Sequence, residues 1–188
     1  MSEELEMKKI MFICLPLILM LTSCIMGAKF KTTFDEESKT SFYVPTLVDY
    51  SAYLYISRDL LTNECNMRMK VKDIQDTEDD VLNYRRVKIG TTAHSLEFET
   101  FPGDHVKKID RVYEEFDGIK NTVRKHAEIA DIPLTDQQVD IFNEMINDRE
   151  PITVTFVGDK EVTKELPTRE KSAIDMMLKK YMELLYLY

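Results

Sequence analysis

The chain has 188 residues, 34 acidic against 25 basic for a formal charge of −9, and 44% of its side chains are hydrophobic and 10% aromatic. The acidic balance argues against nucleic acid, whose affinity for proteins comes largely from neutralised phosphates, and against adhesion to anionic lipid through protein charge. Phe, Tyr and Met are spread along the chain in numbers that suit a packed core rather than disorder.

The N-terminus carries the clearest local signal. Lys8 and Lys9 precede a run from Ile10 to Leu21 in which nearly every side chain is apolar, and Thr22, Ser23 and Cys24 follow. The run is short for a membrane-spanning helix, which needs about 20 residues, and Pro16 interrupts it. A retained anchor stretched from Ile10 to Ala28 is therefore the weaker alternative. The order basic, apolar, small-residue, Cys over Leu21–Cys24 resembles the lipobox of bacterial lipoproteins. That resemblance implies a signal peptide over 1–23 that is cleaved away and a Cys24 thiol carrying a diacylglyceryl group. It also implies an extracytoplasmic protein of the cell envelope, held to the membrane through Cys24. Ile25 is not the aspartate linked to inner-membrane retention in such proteins, so the expected location is the outer membrane if the source is diderm. Ser2, Glu3, Glu4, Leu5 and Glu6 do not fit a basic leader, and Met7 before Lys8 and Lys9 is the expected start of translation. The resemblance covers only the first thirty residues or so; the rest of the chain shows none.

Without residues 1–23, which hold Glu3, Glu4, Glu6, Lys8 and Lys9, the count falls to 31 acidic and 23 basic residues, net −8. Residues 24–40 are mostly polar and read as a flexible tether, with Phe30 and Phe34 the side chains able to pack back on the domain. Residues 41–188 then form a single α+β domain of ordinary size.

Strand patterning dominates from 41 to 101. Ala52, Leu54 and Ile56 alternate with Tyr53 and Tyr55; Asn63, Glu64 and Asn66 mark a turn; then Cys65, Met67, Met69 and Val71 alternate with Arg68, Lys70 and Lys72. A further extended stretch runs from Tyr84, and its facing reverses around Gly90, which predicts a bulge or bend. Between Asp104 and Asp131 the spacing of Ile109, Val112, Tyr113, Phe116, Ile119 and Val123 predicts one long amphipathic helix. Asp117 and Gly118, a hairpin dipeptide, are the argument for two strands, but strand alternation fits the flanks poorly and the helix is the preferred reading.

The last third divides cleanly. Thr135 and Gln138 have the form of a capping box and open a helix through Val139, Phe142, Met145 and Ile146. Pro151 ends it, a hairpin turns at Gly158 and Asp159, and Pro167 with Thr168 begins a final helix. The predicted fold is antiparallel strands from the N-terminal half and a late hairpin, with helices on one face.

Catalytic chemistry leaves no signature. The chain has no nucleophile elbow and no Ser-x-x-Lys, and its five glycines do not cluster into a phosphate cradle. His94, His105 and His126 lack zinc spacing; His94 shares a face with Leu96 and Phe98 and reads as a histidine held by a hydrogen bond. Asp73, Asp76, Glu78, Asp79 and Asp80 make an acidic patch without the spacing of a calcium loop, and read as solvated. With Cys14 cleaved away and Cys24 lipidated, Cys65 has no disulfide partner and reads as a small hydrophobe on a strand. No catalytic residue, metal or cofactor is assigned.

The suggestive group is aromatic. Tyr43, Tyr50, Tyr53 and Tyr55 lie close in sequence, and Tyr53 and Tyr55 share the side opposite the aliphatic one with Arg68 and Lys70. Tyrosine supplies contact area at low entropic cost, so this face suits an envelope protein or a glycan; a covering helix would bury it instead. The functional expectation is a lipid-anchored binding module, the alternative an anchored hydrolase using carboxylates that sequence cannot pair.

Overall fold

The computed structural model describes residues 29–47, 50–76, 81–100, 106–116 and 119–186, with 106–124 described by backbone alone. Leu21–Cys24, residues 78–80, His105, Asp117 and Gly118 lie outside these. The architecture is α+β. Strands β1 (Phe30–Asp35), β2 (Thr40–Pro45), β3 (Ala52–Asp59), β4 (Cys65–Gln75), β7 (Val106–Phe116) and β8 (Ile119–Pro133) form an antiparallel sheet in the order β1-β2-β3-β4-β8-β7. Strands β5 (Arg86–Gly90), β6 (Ser95–Glu99), β9 (Thr153–Val157) and β10 (Glu161–Glu165) form a second, ordered β10-β9-β5-β6. The late hairpin thus extends the sheet begun by β5 and β6.

Period-two patterning decides which face of the first sheet is inside. Ala52, Leu54 and Ile56 stand opposite Val71, Met69 and Met67 in the β3–β4 ladder, and all six are buried. Helix α2 (Thr168–Tyr186) covers this face with Ile174, Met177, Leu178 and Tyr181. Val87, Ile89, Val154 and Phe156 of the second sheet and Val139, Phe142 and Met145 of helix α1 (Asp136–Asn147) join the same core. Each such side chain contributes about 1.5–3 kcal/mol when fully buried.

Polar ties fix the parts around this core. The α1 cap is reciprocal: Thr135 N donates to Gln138 Oε1 at 2.9 Å and Gln138 N to Thr135 Oγ1 at 3.4 Å. Buried Glu170, in the first turn of α2, accepts from Ser51 N at 3.0 Å and Ala52 N at 3.1 Å, which pins the helix to the start of β3. Lys164 of β10 reaches Asp73 of β4 at 2.8 Å and joins the two sheets.

Three sequence expectations need correction. The segment predicted as a helix over 104–131 is the β7–β8 hairpin, paired from Val106↔Ile129 to Phe116↔Ile119. Pairing of β8 along β4 from Arg68↔Pro133 to Gln75↔His126 explains why: the open ladder of β4 offers backbone partners that an amphipathic helix would leave unmade. The tether expected over 24–40 contains strand β1, which pairs with β2 from Phe30↔Pro45 to Asp35↔Thr40. The reversal at Gly90 is a hairpin turn rather than a bulge, with Thr91 N bonded to His94 O at 2.8 Å and Gly90 opposite Ser95. Glycine is needed there because a Cβ would lie 2.4 Å from the His94 carbonyl oxygen.

Candidate functional site

Residues alternating with the core positions of β1 to β4 and β8 share the outer face of the first sheet. Ladder pairing sets Tyr55 opposite Arg68, Tyr53 opposite Lys70, and Lys70 in turn opposite Asp131. Phe42 stands opposite Ser57 on one side and Thr33 on the other. Together with Lys31, Ser38, Thr40 and Val44 they line an open concavity of about 710 Å³. The structure therefore brings together all four residues singled out from the sequence: Tyr53, Tyr55, Arg68 and Lys70.

Asp131 organises the floor. Its Oδ2 accepts a 2.7 Å hydrogen bond from the Tyr55 hydroxyl, and its Oδ1 accepts one of 2.9 Å from Arg68 Nε. Arg68 Nε also lies 2.9 Å from the Tyr55 oxygen, and Lys70 Nζ stands 3.6 Å from Asp131 Oδ2 and over the Tyr55 ring. Charge-assisted bonds of this kind are shorter and about twice as strong as neutral ones. Desolvation works against the Arg68 charge, yet its bonds to Asp131 hold its pKa above the ordinary value.

The aromatic rings are seated rather than splayed. Tyr50 meets Tyr53 edge-on at 4.4 Å between centroids, and Tyr53 and Phe42 both flank Tyr55. Tyr53 and Tyr55 are only 8% and 7% exposed although α2 lies on the other side of the sheet, so neighbouring side chains do the covering. That burial is the largest cause pushing both phenols well above their usual pKa. They remain neutral hydroxyls at any physiological pH. Tyr43 does not belong to this face: it stands opposite Ile56, next to Phe30 and under Lys180 of α2.

Sequence reasoning missed Asp131 and Phe42. Phe42 was legible in the alternation Thr40, Phe42, Val44. Asp131 was not, because it falls at the end of the segment read as a helix.

The other candidate groups have structural partners. His94 Nδ1 is 2.9 Å from Asp148 Oδ2, which also accepts from Thr91 Oγ1 at 2.8 Å, so the β5–β6 turn is tied to the end of α1. Asp73 is not solvated as the acidic patch predicts; it is buried and shared between Lys164 and Gln75. Cys65 is half-buried on β4, and burial raises its thiol pKa, which suits an inert side chain. Among the described residues no group of three or more His, Cys, Asp or Glu side chains is placed to hold a metal ion, and no helix is long and apolar enough to cross a membrane.

No known family, curated protein or solved structure matches the chain.

Proposed function

We propose that the protein is a lipid-anchored cell-envelope lipoprotein whose folded domain is a binding module, with Cys24 carrying the diacylglyceryl anchor and the Tyr53, Tyr55, Arg68, Lys70 face carrying the contact. The observation that supports the reading is the floor around Asp131: an outward face whose aromatic rings are packed and whose Arg68 is aimed by hydrogen bonds, with Lys70 beside it, before any partner arrives. Holding those side chains in place lowers the entropy lost on binding, which is what preorganisation contributes to affinity. The concavity lacks a nucleophile paired with a base, and Asp131 is committed to two donors, so hydrolysis is the weaker reading.

Two measurements test it. Labelled palmitate should enter the native protein and be lost in Cys24→Ala; equal labelling of both ends the anchor. Crosslinking in intact envelopes should capture a reproducible partner, and Lys70→Glu, which reverses a charge on the face, should abolish capture. A partner caught equally well by the variant would place binding elsewhere.

A further inference from the structure

Charge on the concavity runs against the rest of the molecule. The chain carries −9 overall, yet Lys31, Arg68 and Lys70 line the concavity against the single carboxylate of Asp131. Both hydrogen bonds of Arg68 run through Nε, and about a third of the side chain is exposed, so the end of the guanidinium is presented with Nε already anchored. That end is the geometry that takes a carboxylate through two parallel bonds. Lys70 is equally accessible beside it.

The remaining lining narrows the class of anion. Thr33, Ser38, Thr40 and Ser57 supply hydroxyl oxygens that can accept, those of Thr40 and Ser57 already donating to Ser38 O and Asn66 O, and Phe42 and Val44 supply apolar surface between them. A peptide added to a sheet pairs with an open strand edge through its backbone. Here the surface is the face of β1 to β4, whose backbone groups point along the sheet into their own ladders. Recognition must therefore run through side chains alone. Alternating hydroxyl, apolar and cationic groups match a ligand that offers ring hydroxyls, C–H faces and carboxylates. The volume, about 710 Å³, lies within the roughly 300–1,000 Å³ usual for ligand clefts.

We infer that this concavity binds an acidic oligosaccharide, a chain of uronate sugars whose carboxylates sit on Arg68 and Lys70. The inference rests on the binding-module reading above and gives it a ligand class. Calorimetric titration of the full chain in detergent with tetragalacturonate should show saturable binding. Fully methyl-esterified tetragalacturonate, which keeps the sugars and removes the charge, should bind at least tenfold more weakly. Lys70→Gln should lower tetragalacturonate affinity at least tenfold with an unchanged melting temperature; Arg68→Ala should lower affinity as far but also lower the melting temperature, because Asp131 and Tyr55 lose its Nε bonds. Lys70 makes no bond closer than 3.6 Å to Asp131, so its variant separates binding from folding. Arg86→Ala, on the second sheet, should leave affinity unchanged.

Equal affinity for the acid and the ester would overturn the inference, as would hexaglutamate binding in place of the sugar or no binding by either. If uronate binding fails while Lys70→Glu still abolishes envelope capture, the ligand class falls and the module stands. Failure of both removes the module as well.

Discussion

The outer faces of the two sheets are built by the same alternation and end up chemically different. On the second sheet, Arg86, Lys88, Glu97 and Glu161 border a smaller hollow of about 390 Å³, two cations against two carboxylates. Its Arg86–Glu97 pair, at 3.0 Å, is about half exposed on both sides, and Thr155 and Thr163 satisfy each other at 2.9 Å. Pairs of that kind contribute little, about 0–1 kcal/mol, and leave no charge over. On the first sheet, buried tyrosines hold the floor, one carboxylate serves a hydroxyl and two cations, and positive charge remains unspent. Alternation makes an outer face; aromatic residues at outward positions, with an unmatched charge, make a candidate site.

The largest loss follows when the first sheet is freed from its helix. Glu170 is the tie, and Glu170→Ala orphans the Ser51 and Ala52 amides at the start of β3. A buried amide left without a partner costs about 1–3 kcal/mol, so denaturant unfolding should show a loss of about 2–4 kcal/mol. Burial raises the Glu170 carboxyl above its ordinary 4.5. The folded state therefore binds its proton more tightly than the unfolded one, and stability falls as pH climbs above 4.5. Glu170→Gln keeps an acceptor and removes that slope. Wild-type melting of Glu170→Ala would show that α2 needs no such pin.

A matched pair of smaller changes sharpens the contrast directly. Asp131→Ala leaves the Tyr55 hydroxyl and Arg68 Nε without their shared acceptor and should cost about 1–2 kcal/mol, discounted because a third of the Asp131 side chain is exposed. Glu97→Ala removes the partner of a cation already in solvent and should cost under about 0.5 kcal/mol. Equal costs in denaturant titration would mean that the first face is no better organised than the second.

What the sequence revealed of this contrast follows from how far each signal reaches. Tyr53, Tyr55, Arg68 and Lys70 could be placed on one face because alternation within a strand is local, and the β3–β4 turn near Asn63 fixes their register over a short distance. The Thr135–Gln138 cap, the Gly158 turn and the Pro167 start of α2 were legible for the same reason. Asp131 was invisible because its position depends on β8 lying against β4, a pairing between segments about sixty residues apart. Helical spacing in 104–131 was real, but the ladder that β4 offers to β8 decides for a hairpin. Likewise Phe30 to Asp35 looks like spacer until β2 is present to pair with it. Glu170 and Asp73 carried no mark at all, since burial of a carboxylate is set by the whole core.

The smallest effect separates the two sheets by pH. His94 lies between Asp148, 2.9 Å from Nδ1, and Glu144, 3.4 Å from Nε2, and Thr91 shares the Asp148 oxygen. The bond to Asp148 is the main cause raising the His94 pKa above 6.5, and the same bond is the main cause lowering the Asp148 carboxyl below 3.8. A raised histidine stabilises fully below 6.5 and loses that contribution as pH rises through its folded value. A lowered carboxylate stabilises fully above 3.8 and loses its share as pH falls through its own. The tie from the β5–β6 turn to α1 is therefore strongest between about pH 3.8 and 6.5. Titration of the His94 ring by NMR should give a midpoint above 6.5 that returns toward 6.5 in Asp148→Asn. A midpoint at or below 6.5 in the native protein would deny the tie. The first face has no such dependence near neutrality, because Arg68 stays charged and both phenols stay neutral. Ligand affinity there should be flat as pH rises through the folded value of His94, where the second sheet loosens from its helix.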